Sequence, residues 1–144
     1  MEQANGYEKK LNSLEQALGS FKKAMTIDAS EFGAIEADTI KSGQVQKFEV
    51  CVELFWKTTK QYLYDIHGVE SISPKMAIKQ LYRTQYTDAR NYEMLIEMVN
   101  DRNRLSHVYN EDQFEEIYCR LPEYLKLVQA IVKNFRGSQN NGNG

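Results

Sequence analysis

At 144 residues, 42% hydrophobic and 26% charged, the chain is one ordinary globular domain. It is long enough to bury roughly 70% of its unfolded surface without disulfides or a structural metal. A net charge of −2 excludes a strongly basic nucleic-acid coat but not a local basic site. No run approaches the roughly 20 apolar residues of a membrane span. The start, Met1-Glu2-Gln3-Ala4-Asn5-Gly6, lacks the basic-then-apolar pattern of a signal peptide, so a cytoplasmic protein is expected.

The chain reads as helix after helix, with no sustained alternation of a half-buried strand. Tyr7, Leu11, Leu14, Leu18, Phe21 and Met25 step by threes and fours and make the apolar stripe of a first helix. A second helix is expected over about 38–67. Its stripe is Val45, Phe48, Val52, Phe55, Thr59, Tyr62 and Ile66, widened by Cys51, Trp56 and Leu63. Gly68 follows as a left-handed stop. Ser73 can cap a short third helix, and Pro74 suits its first position, where the missing N–H costs nothing. Met76, Ala77, Leu81 and Tyr82 supply its apolar face. Thr87-Asp88 starts a fourth helix, with Tyr92, Leu95, Ile96 and Val99 inward.

A fifth helix begins at the cap Asn110, with Gln113 in capping-box position and Glu111 and Asp112 offsetting the helix dipole. Its stripe runs through Phe114, Ile117, Leu121, Tyr124, Val128, Ile131 and Phe135, and Pro122 inside it predicts a kink. Cys51 and Cys119, both in helical patterns, read as two small buried apolar residues in a reducing compartment. The Gly- and Asn-rich tail 137–144 reads as disordered, which leaves a single domain over 1–136. Four long amphipathic helices and a short one predict an all-α fold, an antiparallel up-and-down four-helix bundle with an extra short helix.

The segment Arg102 to Tyr109 breaks the hydrophobic pattern. Arg, Asn, Arg, Ser, His and Tyr crowd where a bundle helix should turn an apolar face inward, and such breaks often mark functional sites. Arg102 is a permanent charged fork suited to phosphate, and His107 can exchange a proton near neutral pH. Asn103 can orient either group, and Tyr109 offers a hydroxyl. Arg and His without clustered carboxylates favour metal-independent phosphodiester chemistry, with proton removal from a ribose 2′-hydroxyl and Arg holding the developing charge. The competing reading is structural: Arg and His offset the dipole of a helix end, with Ser106 and Asn110 as caps.

Asp101-Arg102-Asn103-Arg104-Leu105-Ser106-His107-Val108-Tyr109 resembles the Arg-x-x-x-x-His-x-Tyr signature of HEPN-domain proteins. Within that superfamily the chain is most similar to the nucleotidyltransferase substrate-binding group, related to the HepT toxins. Gln46-Lys47-Phe48-Glu49 with Glu53-Leu54-Phe55-Trp56-Lys57 resembles that group's second-helix pattern. Ser73-Pro74 with Ala77-Ile78, and Asn110-Glu111 running into Ile117-Tyr118, add to the likeness, which spans about residues 7–135. It implies a helical homodimer in which Arg and His of both subunits cleave RNA without metal. It also implies a small nucleotidyltransferase encoded nearby that silences the toxin by transferring AMP to the tyrosine, here Tyr109. On that implication Arg102 binds phosphate, His107 acts in acid–base catalysis, Asn103 assists, and Asp101, Glu49 and Glu53 support them. The second-helix pattern favours the substrate-binding group over the best-understood toxins, and Arg104 is an additional cation inside the signature.

Glu49, Glu53 and Lys57 share a helix face, either as a solvated ladder or as orienting groups for the Arg102–His107 site. Trp56, Tyr62 and Tyr64 suit packing better than base stacking, and His67 reads as capping its helix end. No clustered His, Cys and carboxylate set suggests a metal, and no Gly-rich phosphate loop suggests a bound nucleotide, so no cofactor is expected. Three functions compete. The foremost is a toxin-type, metal-independent ribonuclease with an RNA substrate, silenced by AMP transfer to Tyr109; the alternative is a non-enzymatic docking subunit of a nucleotidyltransferase, and the last a dimeric scaffold.

Overall fold

The computed structural model describes residues 6–107 and 110–141. It contains six α-helices: α1 (Gly6–Met25), α2 (Ala34–His67), α3 (Pro74–Arg83), α4 (Ala89–Leu105), α5 (Glu111–Tyr118) and α6 (Leu121–Asn141). A single 3-10 turn (Ala29–Glu31) lies between α1 and α2, and no strand occurs among the described residues.

Local signals set most helix boundaries. The Ser73 hydroxyl accepts from the Met76 N–H at 3.2 Å with Pro74 in the first position of α3. The Asp88 carboxylate caps α4 through the Asn91 N–H at 2.8 Å. The Asn110 side chain accepts from the N–H groups of Asp112 and Gln113. Each such cap contributes about 1 kcal/mol. Gly68 ends α2 at φ 66°, a left-handed conformation that costs a residue with Cβ. α2 starts four residues earlier than the apolar pattern predicts, because the stripe begins only where α1 covers it.

Contacts between helices fix the topology. Tyr7 of α1 meets Tyr62 of α2, which stacks on Phe135 of α6 at 4.3 Å. Farther along, Phe21 of α1 meets Phe48 of α2, which stacks on Tyr124 of α6. Residue numbers therefore fall along α1 as they rise along α2 and α6. Asp101 of α4 reaches Tyr124, and Tyr86, just before α4, lies against Phe135. So α4 runs with α1, and the four long helices alternate in direction as an up-and-down bundle. Burying each large side chain of this core stabilises it by about 1.5–3 kcal/mol.

A polar clamp closes one end. Gln44 is buried, and its amide donates to the carbonyls of Ala24 (2.9 Å) and Ile27 (3.1 Å), which satisfies the open end of α1. Its carbonyl accepts from the Tyr118 hydroxyl, which pins α5.

Several expectations are corrected. The predicted fifth helix is not kinked but interrupted: α5 ends at Tyr118, and Pro122 sits in the first turn of α6. There its missing N–H and its ring are tolerated, whereas inside a continuous helix the ring would press on the carbonyl of Tyr118. Cys119, in that break, is exposed, whereas Cys51 is buried. Burial pushes the Cys51 thiol up to about 12. Ile66, Met76 and Tyr82 face outward rather than into the core, and Ile78 takes the core position in α3. α6 runs from Leu121 to Asn141.

Candidate functional site

The polar end of α4 divides into two faces. Met94, Met98, Asp101 and Leu105 step by four, three and four along the inward side, so Asp101 occupies a core position. It is fully buried. Its carboxylate accepts from Arg104 Nη1 (2.7 Å), Arg120 Nε (2.8 Å) and Nη2 (3.0 Å), and the Tyr124 hydroxyl (2.5 Å). Burial alone would raise this carboxyl. The bonds from Arg120 and Tyr124, the Arg120 charge and the Arg104 bond outweigh it and hold the group below the usual carboxylate range. Arg120 is held more firmly protonated by its bond to Asp101, and the Tyr124 phenol is pushed up by burial and by the neighbouring carboxylate.

Arg102 lies one position further round the helix and faces α2. Its Nη2 stands 4.0 Å from Glu53 Oε2, and its Nε is buried without a partner. Glu53 also accepts from Lys57 Nζ (3.0 Å) and Trp56 Nε1 (3.1 Å). The Lys57 bond lowers the Glu53 carboxyl against the effect of burial, with Trp56 and the Lys57 and Arg102 charges adding to it. Glu49, one turn earlier, is half-buried and makes no ion pair among the described residues.

Asn103 and His107 are four apart, exposed, and open into a cleft of about 660 Å³. Glu97, Arg104, Glu116 and Arg120 line it with them. His107 is placed by a tight turn that ends α4, its N–H donating to the Arg104 carbonyl at 2.8 Å. The cleft thus holds an imidazole and an amide above two guanidiniums whose charge is met from below by Asp101 and laterally by Glu97.

Of the predicted site residues, Asn103 and His107 share the cleft. Arg102 and Glu53 meet on the adjoining face, Asp101 lies beneath, and Glu49 stands aside. Tyr109 lies outside the described residues. Arg104, which sequence alone left without a role, bridges Glu97 and Asp101. Arg120, Tyr124, Glu97 and Glu116 escaped sequence reasoning. The available signal was a carboxylate at a core step of α4, which requires cationic or hydroxyl partners. His67 does more than end α2: its Nε2 lies 2.9 Å from the Tyr86 hydroxyl, which meets buried Tyr62 at 3.1 Å.

No described helix is long and apolar enough to cross a membrane. Among the described residues no three His, Cys, Asp or Glu side chains group as metal ligands.

No curated protein matches the chain. A solved protein from Thermus thermophilus is similar at 28% identity and a TM-score of 0.76, over 85% of this chain and 98% of its own. Another, from Haemophilus influenzae, is similar at 22% identity and a TM-score of 0.73, over 88% of this chain and 98% of its own. The latter structure is described as revealing the fold of a substrate binding domain of a nucleotidyltransferase. The sequence profile of nucleotidyltransferase substrate binding protein-like chains matches residues 7–136. With that match over nearly its whole length, the chain belongs to the nucleotidyltransferase substrate binding protein-like family.

Proposed function

We propose that the chain is the docking partner of a small nucleotidyltransferase, and that the open end of α4 with the segment after it is what it presents to that enzyme. The observation that carries this reading is the division of α4. Asp101 occupies Arg104 and Arg120, while Asn103 and His107 are left on an open cleft and Tyr109 follows His107 by two residues. An exposed imidazole two residues before a tyrosine in the sequence suits nucleotide transfer to that phenol. The Tyr109 oxygen attacks the α-phosphorus of ATP, a phosphorus–oxygen bond forms, and the bond to pyrophosphate breaks. The phenolic proton passes to His107 or to solvent.

The test is the intact mass of the chain after incubation with the nucleotidyltransferase encoded beside it, ATP and Mg²⁺. Gain of one AMP by the wild type and none by Tyr109→Phe is expected. A stable complex without mass gain would reduce the function to non-enzymatic docking. Absence of both would overturn it.

A second reading has its own observation. Arg102 is held by Glu53 only at 4.0 Å and keeps a buried, unpartnered Nε, so its guanidinium is available to a stronger anion. In a metal-independent ribonuclease of toxin type His107 would take the 2′-hydroxyl proton. The 2′-oxygen would attack the phosphorus, and the 5′-oxygen would leave with a proton from solvent or a second His107. Arg102 would meet the developing charge. Such a site is completed by homodimerisation, and AMP on Tyr109 would block it. Cleavage of single-stranded RNA in EDTA by the wild type, and its loss in His107→Ala, would support this reading. Intact RNA would exclude it.

A further inference from the structure

The His107 cleft lies between α4 and α5, and a second groove lies between α1 and α6. α1 packs closely along α2 and touches α6 more sparsely, which leaves a furrow of about 600 Å³ between α1 and α6. Lys22 of α1 and Lys126, Lys133 and Arg136 of α6 border it, against the single carboxylate Glu15. Four cations thus meet one anion in a chain whose net charge is −2. Arg136 is engaged by Glu15 at 2.6 Å and by Asn12, and Lys126 stands 4.0 Å from Glu123, whereas Lys22 and Lys133 make no ion pair among the described residues. The floor is small and mainly apolar. Gly19 and Ala130 are exposed there, and a Cβ built on Gly19 meets nothing within 4 Å.

From this charge pattern we infer that the α1–α6 groove is where the nucleotidyltransferase partner docks, through an acidic helix whose small-sided face lies over Gly19 and Ala130. This inference rests on the partner reading above. A shallow furrow between two helices fits a third helix of about 10–12 Å diameter, and lysine ammoniums at its rim complement carboxylates while small residues admit close backbone approach. A nucleic-acid strand fits less well. None of the ten lining residues is aromatic, so bases would find no stacking platform, and the one guanidinium is committed to Glu15. The location also suits the function. Lys22 and Lys126 lie near the level of Phe21 and Tyr124, toward the same end of the bundle as Asp101, so a partner seated there is one helix away from the His107 cleft.

The test is calorimetric titration of the nucleotidyltransferase encoded beside this chain into four full-length proteins. Lys22→Glu, Lys126→Glu and Lys133→Glu combined should weaken binding about 100-fold, and the wild-type affinity should fall as salt rises. Gly19→Leu should weaken it about tenfold by filling the furrow. Its added side chain enters open space and improves helix propensity, so the fold is kept. Lys79→Glu on α3 should bind like wild type. If the wild type binds and both groove variants bind equally well, the groove is wrong and the partnership stands. If Lys79→Glu loses as much as the triple variant, the attraction is not local to the groove and the inference fails. If the triple variant loses only affinity for a labelled single-stranded RNA, the groove is a nucleic-acid surface and the inference fails. If the wild type does not bind the enzyme, the partner reading fails and takes the groove with it.

Discussion

Asp101 and Arg102 are adjacent on α4 and live in opposite surroundings. Asp101 has no exposed surface and four close donors from three residues, one each on α4, the α5–α6 turn and α6. Arg102 is about one-third exposed and has one distant carboxylate and an unpartnered Nε. Both are charged, yet one is a satisfied buried hub and the other a loosely held group beside an open cleft. One helix end thus holds a satisfied charge on its inner side and loosely held groups on its outer side. The buried carboxylate ties α4 to the α5–α6 turn and consumes the charge of Arg104 and Arg120. The exposed side of the same helix end then holds the groups with unspent hydrogen-bonding capacity.

The largest effect should come from breaking the hub. Asp101→Ala leaves two guanidiniums and a phenol without their shared acceptor and should destabilise the fold by about 3–5 kcal/mol in chemical denaturation. Gln44→Ala should cost less, about 1–3 kcal/mol, because it frees two carbonyls at the end of α1 and the Tyr118 hydroxyl.

The pH dependence sharpens the same contrast. Asp101 has its folded pKa lowered, so its contribution is fully present above the ordinary carboxylate value of about 3.9. It is lost as pH falls through the lower folded value. Stability of the wild type should therefore drop more steeply below about pH 4 than that of Asp101→Asn, as followed by helical circular dichroism in acid titrations.

The smallest effects belong to the open face. His107→Ala should shift stability by no more than about 0.5 kcal/mol, since the exposed ring makes no side-chain hydrogen bond among the described residues. A loss of 2 kcal/mol or more would make His107 structural and erase the distinction. Glu53→Gln should likewise stay within about 1 kcal/mol while loosening Arg102, which a rise in affinity for inorganic phosphate would register.

The parts of this molecule legible in sequence are those set locally. Ser73-Pro74, Asp88, Asn110 and Gly68 act within four residues of themselves, and each ends or begins a helix as its chemistry dictates. Pro122 was legible as a disruption. Whether it kinks or breaks a helix depended on the neighbouring turn at Cys119 and Arg120, where the break exposes Cys119 and aims Arg120 at Asp101. The site was legible as a cluster but not as two faces. Its division follows from contacts 19 to 74 residues apart, Asp101 with Arg120 and Tyr124, and Gln44 with Tyr118. Such pairings are set by how helices pack, and a 3.6-residue period reports only which face is buried. Asp101 at a core step of α4 was the visible trace, since a carboxylate there requires cationic or hydroxyl partners.

The most direct measurement is light scattering, after size-exclusion chromatography, on the chain mixed with a small nucleotidyltransferase from the same genome. Co-elution as one species whose mass contains both proteins is expected. Two separate peaks at micromolar concentration, each with the mass of the protein alone, would contradict it.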